Sequence, residues 1–414
     1  MKLVGLITEY NPFHNGHKYH IEQALKNTGA DAAIVVMSGN YVQRGTPAFM
    51  PKHLRAEMAL RSGASIVLEL PVHYATGSAE YFARGAISLF DKLNCIDTIC
   101  FGCEYEDVTP LHEIAKILAD EPPEYQQALQ ASLKSGLSFP AARQRAFAVY
   151  SQNDTLSGYL SEPNAILGIE YIKALYQLHS SMKWVAIKRE GSHYHNKELD
   201  HPFASATALR RLFDNKEEEF NVHTSLLSTH VPLEILSLFE ANYHTRYPII
   251  SADFSLLLKS KLLNETALSL CRYMDISQEL ANRILNSLNH YQSFEQFCEL
   301  LKSKAVTHTR ISRALLHILL NIKKEDITLF SEQERIFYAR VLGFRVQDSH
   351  VFSFLNKQSK VPLLAKTTDT NALTGIAQTM WQQDLYASNL YESVITNKYN
   401  TLFQNDCTQQ MHII

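Results

Sequence analysis

Cysteine is scarce in this chain: six residues in 414, at positions 95, 100, 103, 271, 298 and 407. That density excludes a disulfide-held scaffold and favours a reducing compartment. Long apolar runs are missing as well. None approaches the ~18 residues of a membrane helix. The run near the N-terminus, Leu3 to Ile7, is too short for the core of a signal peptide. The expectation is a cytoplasmic protein with no membrane partner. Neither charge sign dominates: the formal net charge is -3 and the sequence pI about 6.7. That excludes indiscriminate coating of nucleic acid but leaves room for a local basic patch. There is no internal repeat and no low-complexity tract. What remains is a globular composition, 46% hydrophobic and 20% charged, in a chain long enough for two or three domains of ~150 residues. Such a chain buries a core without metals or disulfides.

Up to about residue 215, strand and helix signals alternate. Short apolar runs at Leu3 to Thr8, Ala32 to Met37, Ile66 to Leu70, Cys95 to Phe101 and Trp184 to Lys188 suit buried parallel strands. Helical patterns fall between them, over His17 to Thr28, Lys52 to Ser62, Ser78 to Leu93, two or three helices across 108–150, and Pro163 to Tyr176. Ser205 reads as the cap of a further helix ending at Phe213. This is the pattern of an α/β, Rossmann-like fold with a mostly parallel sheet. Ligands on such sheets bind beyond the carboxyl ends of the strands, which singles out the loops after Thr8, Met37, Leu70, Phe101 and Lys188. Past the charge run Lys216 to Glu219, helical signals dominate, as at Asp253 to Leu263, Gln278 to Leu288, Phe294 to Lys302 and Arg310 to Ile322. One short strand fits Val361 to Ala365. The expected division is 1–220, a nucleotide-binding α/β domain, and 221–414, a mainly α-helical region.

Directly after the first strand comes Thr8-Glu9-Tyr10-Asn11-Pro12-Phe13-His14-Asn15-Gly16-His17. A helix N-terminus presents free N–H groups and the positive end of the helix dipole, which suits phosphate. Gly16 permits close backbone approach. Two imidazoles three residues apart on that turn can both reach a phosphate and stabilise the charge that forms as its phosphorus is attacked. An isolated His-x-Gly-His string fits an ordinary polar turn better, but a strand before it and a helix after it reverse the balance and favour the phosphate site. The arrangement resembles the HIGH-type signature of the nucleotidyltransferase superfamily, which attacks the α-phosphate of a nucleoside triphosphate and releases pyrophosphate. A second segment, Phe203-Ala204-Ser205-Ala206-Thr207-Ala208-Leu209-Arg210, resembles the late element of those domains that holds the β and γ phosphates. That resemblance gives Ser205, Thr207 and Arg210 a phosphate-binding role.

Further motifs narrow the resemblance. They are Met37-Ser38-Gly39-Asn40-Tyr41-Val42-Gln43-Arg44-Gly45-Thr46, Glu69-Leu70-Pro71, Ser78-Ala79-Glu80-Tyr81-Phe82-Ala83, Phe101-Gly102-Cys103-Glu104, Glu162-Pro163-Asn164 and Lys188-Arg189. Together they resemble the bacterial tRNA(Met) cytidine acetate ligase family across residues 1–215, and more loosely beyond, through Thr309-Arg310-Ile311-Ser312-Arg313. The resemblance implies that acetate and ATP give acetyl-adenylate and pyrophosphate. The N4 amine of the wobble cytidine of elongator tRNA(Met) then takes the acetyl group, giving N4-acetylcytidine and AMP. It implies His14 and His17 as catalytic residues and Mg²⁺ as companion of ATP. The implied ATP-binding residues are Ile7, Thr8, Glu9, Tyr10, Asn11, Pro12, Phe13, His14, Asn15, Gly16, His17, Lys18, Tyr19 and His20, with Gly102, Asn164 and Arg189. No metal-binding motif is evident, and no side chain is singled out as a base for N4.

For the RNA, the segment Leu300 to Lys324 holds Lys302, Lys304, Arg310, Arg313, Lys323 and Lys324 and no acidic residue. This local excess suits a phosphate track, unless acidic neighbours compensate it. Gln43, Arg44, Lys52 and Arg55 make a smaller basic cluster beside the expected active site. Tyr41, Tyr74 and Tyr81 are candidates to stack on an extruded base. Cys100-x-x-Cys103 lacks a second pair and is read as structural. His193 and His195 are read as a loop near Arg189. Two other functions fit parts of the chain: a small-molecule adenylyltransferase of the same superfamily, and a non-catalytic RNA-binding protein on this scaffold. The first leaves 221–414 without a task, and intact His14, Gly16 and His17 argue against the second.

Overall fold

The computed structural model describes residues 1–189, 205–213, 220–304 and 306–414. His193, His195, Phe203, Ala204 and the charge run Lys216 to Glu219 lie outside the described residues. Among the described residues the strands are β1 Leu3–Thr8, β2 Ala32–Ser38, β3 Tyr41–Val42, β4 Thr46–Pro47, β5 Ile66–Leu70, β6 Thr98–Cys103, β7 Lys183–Lys188, β8 Ala339–Phe344, β9 Leu363–Leu364 and β10 His412–Ile413. The main sheet runs β10-β8-β5-β2-β1-β6-β7, with β9 beside β8, while β3 and β4 form a separate hairpin. β5, β2, β1, β6 and β7 are mutually parallel.

Helices cover both faces of this sheet, which is why every residue of β2 and β5 is buried and their sequences are apolar except for Ser38 and Glu69 near the strand ends. Helix Ala79–Leu93 lies so close that a Cβ on Gly5 of β1 would meet the Phe90 ring at 2.8 Å. The expected strands and helices of residues 1–213 are present, with shifted ends. The fourth expected strand moves to Thr98–Cys103, which puts Gly102 and Cys103 at its carboxyl end. Helix Asn15–Thr28 starts two residues early, with His14 as its cap.

Among the described residues, the second half holds three strands where one was expected: β9, within the expected Val361 to Ala365, and also β8 and β10. β8 pairs antiparallel with β5, and β10 extends the sheet beyond it. A boundary at 220 therefore leaves strands from both halves in one sheet. The helices of the second half build their own core from residues such as Leu258, Leu270, Ile284, Phe297, Ile311 and Leu315. That core rests on the loops after β2 and β5. Ser312 Oγ donates to Gly45 O at 2.8 Å, Tyr391 OH to Ala48 O at 2.7 Å, and the His317 ring bridges Met274 O and Thr76 O.

Candidate active site

The carboxyl ends of β1, β6 and β7 open into a cavity of about 640 Å³. Its floor is the start of helix Asn15–Thr28. His14 Nδ1 accepts the Gly16 N–H at 3.1 Å, and His17 Nδ1 accepts the His14 N–H at 3.2 Å. This reciprocal cap satisfies donors that the first helical turn leaves unpaired. The two rings stack with centroids 3.7 Å apart. Burial lowers the His14 pKa to about 3, with Arg189, His230 and Arg210 adding to the effect. His17 lies well below the ordinary histidine value, first through burial and then through His14 and Arg189. His20 is lowered to about 4 by burial and Arg189. A neutral imidazole carries one proton. With both Nδ1 atoms accepting from the backbone, both protons sit on Nε2. Residues 14 and 17 therefore offer neutral N–H donors to the cavity they line.

Cations face this floor. Arg189 follows β7 and donates its backbone N–H to Cys103 O at 2.9 Å. Its side chain runs over Gly102, where a Cβ would lie 3.2 Å from Arg189 Cγ. Arg210 reaches Asn11 O at 2.6 Å and Thr207 Oγ1 at 3.1 Å, while Ser205 Oγ caps its helix through the Ala208 N–H. Ser205, Thr207 and Arg210 thus share the cavity with the histidines. Asn164 caps the wall opposite: Glu104 Oε1 takes its backbone and side-chain N–H groups at 2.9 and 2.6 Å.

Of the 7–20 segment, Ile7, Thr8, Glu9, Tyr10, Asn11, His14, Gly16, His17, Tyr19 and His20 line the cavity. The other four do not. Phe13 is fully buried in the core. Pro12 is not among the lining residues. Asn15 Nδ2 bonds Thr229 O at 3.0 Å and Lys18 Nζ bonds Glu234 at 2.6 Å. Asn15 and Lys18 therefore tie the helix to the second half of the chain.

The basic residues separate sharply. Arg44, Arg310 and Arg313 line the same cavity as the histidines. Arg313 is bound at 2.8 Å to Asp275, whose carboxyl it holds below the ordinary range against the opposing effect of burial. Lys302 and Lys304 are exposed and outside the cavity, with Glu299 3.8 Å from Lys302. Lys324 is spent on Cys271 O and Ile276 O. Lys52 and Arg55 do not belong to any RNA surface, because both are fully buried. Lys52 Nζ sits between Glu69 and Asp406 at 2.8 and 2.9 Å, and Arg55 donates to the carbonyls of Glu9, Ser38 and Met50. Tyr41 and Tyr74 are likewise core residues at 1% exposure, which leaves only Tyr81 partly accessible. Cys100 and Cys103 are buried free thiols.

Sequence reasoning gave no role to the far wall of the cavity, formed by Glu80, Phe82, Phe139, Arg143, Glu170 and Tyr171. Helices Ala79–Leu93, Phe139–Ser151 and Pro163–Gln177 supply them. Glu80 and Glu170 could have been found as carboxylates on helix faces where apolar residues were due. Arg143 carries no local signal.

The HIGH Nucleotidyl Transferase family model matches residues 1–406. A tRNA(Met) cytidine acetate ligase of Caldanaerobacter subterraneus subsp. tengcongensis is 37% identical over 398 residues, covering 96% of each chain. One from Acetivibrio thermocellus is 36% identical over 393 residues, covering 94% of each. Among solved structures, apo Thermotoga maritima TmcAL superposes over 100% of both chains with a TM-score of 0.92 at 30% identity. The same protein bound with alpha-thio ATP gives 0.90 at 30% identity, again over 100% of both chains.

Proposed function

This chain belongs to the HIGH nucleotidyl transferase family and, within it, to the tRNA(Met) cytidine acetate ligases; from that premise we propose how its cavity performs the reaction. It is an ATP-dependent ligase that activates acetate and acetylates a tRNA cytidine. An acetate oxygen attacks the α-phosphorus of ATP, and the bond to the β,γ-pyrophosphate breaks. N4 of the wobble cytidine of elongator tRNA(Met) then attacks the acetyl carbon. The bond to AMP breaks and N4 sheds a proton.

One observation carries the assignment of the phosphate end: the His14 and His17 cap, which aims two neutral Nε2–H donors into a cavity that also holds Arg189 and Arg210. Neutral donors stabilise charge developing on the α-phosphate without a proton transfer. Arg210, Thr207 and Ser205 suit the β and γ phosphates. Gly102, Asn164 and Arg189 suit the nucleoside side, where the absence of a Cβ at residue 102 keeps the strand end open beside Arg189.

Among the described residues, no group of three His, Cys, Asp or Glu side chains is placed to hold a metal ion. Mg²⁺ is proposed as the companion of ATP and would offset the charge of its phosphates. Arg44, Arg310 and Arg313, with Lys302 and Lys304 outside, are assigned to the RNA. Residues 1–220 supply the adenylation chemistry and 221–414 most of the RNA contacts. No helix among the described residues is long and apolar enough to cross a membrane. The reading is a cytoplasmic enzyme, supported by a tRNA substrate.

The test is mass spectrometry of nucleosides from unmodified tRNA(Met) incubated with the protein, ATP, Mg²⁺ and isotopically labelled acetate. A labelled acetyl group on the wobble cytidine is expected. ATP–pyrophosphate exchange without RNA labelling would keep the adenylation and move the acyl acceptor elsewhere.

A further inference from the structure

The cavity has two chemically different ends. At the His14 end the lining charge is positive, from Arg189 and Arg210. At the other end it is balanced. Arg143 Nη1 lies 2.5 Å from Glu170 Oε1, and Lys173, which sits behind the wall and does not itself line the cavity, lies 2.9 Å from Glu80 Oε1, so each carboxylate is matched by one cation. The Arg143–Glu170 pair is sheltered, with side chains 14% and 1% exposed, whereas the Glu80 side chain keeps 44% of its surface open. Arg143 Nη2 is buried and has no hydrogen-bond partner among the described residues. Phe139, 52% exposed, adds flat apolar surface to the cavity lining.

Balanced charge decides what fits there. An anion such as acetate or a phosphate needs a net positive site, which the other end provides. A neutral planar ring with donors and acceptors on one edge fits a site that offers both acceptors and donors against an aromatic wall. Helix Pro163–Gln177 lines both ends. Asn164 and Glu170 are six residues apart, so they lie about 9 Å from one another along the axis. That is room for a second base beyond the adenylate.

We propose that Glu80, Arg143 and Glu170 form the chamber that receives and reads the target cytosine. The inference rests on the function proposed above. A carboxylate accepts from N4–H, and the guanidinium donates to N3 and O2. Uracil presents O4 and N3–H at those positions, so its acceptor would face the carboxylate and its donor the guanidinium. The site thus discriminates partly by repulsion. The same chamber holds N4 within the cavity where the acetyl group is activated, so no long transfer is required.

The test compares binding of two anticodon stem-loop RNAs, with C or U at the wobble position, to the parent protein and to the Glu80→Ala and Arg143→Lys variants. ATP affinity is measured in parallel. Glu80 is half-exposed, and when it is replaced its partner Lys173 still has Glu170 at 3.9 Å. The parent is expected to favour C by about tenfold or more, in line with what one well-placed base contact contributes. Each variant should bring the preference to within about threefold while ATP affinity changes less than twofold. A parent with no preference, or variants that keep it, would overturn the proposal. So would a parallel loss of ATP affinity, which would give the chamber to adenine. Acetylation of the C-bearing RNA by the parent tests the underlying function separately. Its failure beside an intact C preference would remove the function and leave the chamber.

Discussion

His14 and His17 cap each other. The ring of His14 takes the Gly16 N–H, the ring of His17 takes the His14 N–H, and the rings stack 3.7 Å apart. One interaction therefore fixes the start of a helix and the direction of two Nε2–H donors. The double role can be separated. Asparagine at position 14 keeps a cap but has no second ring nitrogen to offer. His14→Asn should melt within about 0.5 kcal/mol of the parent, and His14→Ala about 1 kcal/mol lower. Both should release pyrophosphate at least ~100-fold more slowly. Asparagine restoring the rate along with stability would show that the ring serves only the helix.

Buried neutral imidazoles make folding sensitive to acid. Burial is the leading cause that lowers His14 and His73 to about 3 and His20 and His53 to about 4. In the unfolded chain each takes up a proton near pH 6.5. Between pH 6.5 and about 4 the unfolded state thus binds more protons, and stability falls as the pH drops. The stabilisation is complete above 6.5 and fades at about 1.4 kcal/mol per pH unit for each such group. Melting temperature measured from pH 7.5 to 4.5 should bend downward below about 6.5. A flat curve down to pH 5 would mean that these rings are hydrated or charged in the folded protein.

Arg310 and Arg313 lie three residues apart and both line the cavity, yet their surroundings predict different phenotypes. Arg313 neutralises Asp275, whose side chain is 16% exposed. Its loss leaves a carboxylate uncompensated at the junction with the second half, so Arg313→Ala should cost about 3 kcal/mol of stability. Arg310 lacks such a pair among the described residues, and its Nε has no hydrogen-bond partner there. Arg310→Ala should melt normally, weaken RNA binding and shallow its salt dependence by about one phosphate contact. Affinity titrations at several salt concentrations distinguish them. Unchanged RNA affinity in Arg310→Ala would take this helix out of the RNA path.

Lys52 extends the argument to the core. Its ammonium is held by Glu69, Asp406 and Ser388. Lys52→Met should destabilise by roughly 3 kcal/mol, because Glu69 and Asp406 then share Arg340 as their one remaining fully charged partner inside the protein. RNA binding, measured on the fraction that folds, should not change. Denaturant unfolding of Lys52→Met beside Lys302→Met tests the contrast, since the exposed Lys302 should cost less than about 0.5 kcal/mol.

These cases mark what was legible in the sequence. Local signals located β1, the His14 turn and the loops at the strand ends, because apolar runs and a capped helix start are properties of neighbouring residues. They misplaced Lys52 and Arg55, since two basic residues three positions apart look like one exposed helix face until their partners are known. For Lys52 one partner, Asp406, is 354 residues away. β8 was missed for the same reason. Ala339–Phe344 is a short apolar run inside a helical half, and only its pairing with β5 makes it a strand. The Arg143–Glu170 pair joins two helices, and only Glu170 leaves a trace in its own, as a carboxylate on an apolar face.

Gly45 offers the sharpest test of how the two halves share one cavity. Its φ is +77°, which L side chains seldom adopt. A Cβ there would lie 2.4 Å from the backbone nitrogen of Arg313 and 2.5 Å from its Cα, so rotating a side chain gives no relief. The loop carrying Arg44 and the helix carrying Arg310 must then separate, losing the Ser312 Oγ bond to Gly45 O. Gly45→Ala should therefore destabilise by more than about 1 kcal/mol. It should also lower acetylation at limiting RNA far more than ATP affinity, because the histidine end contains no part of this contact. Equal loss of ATP and RNA binding would mean that the helix His308–Leu320 supports the whole cavity rather than its RNA side.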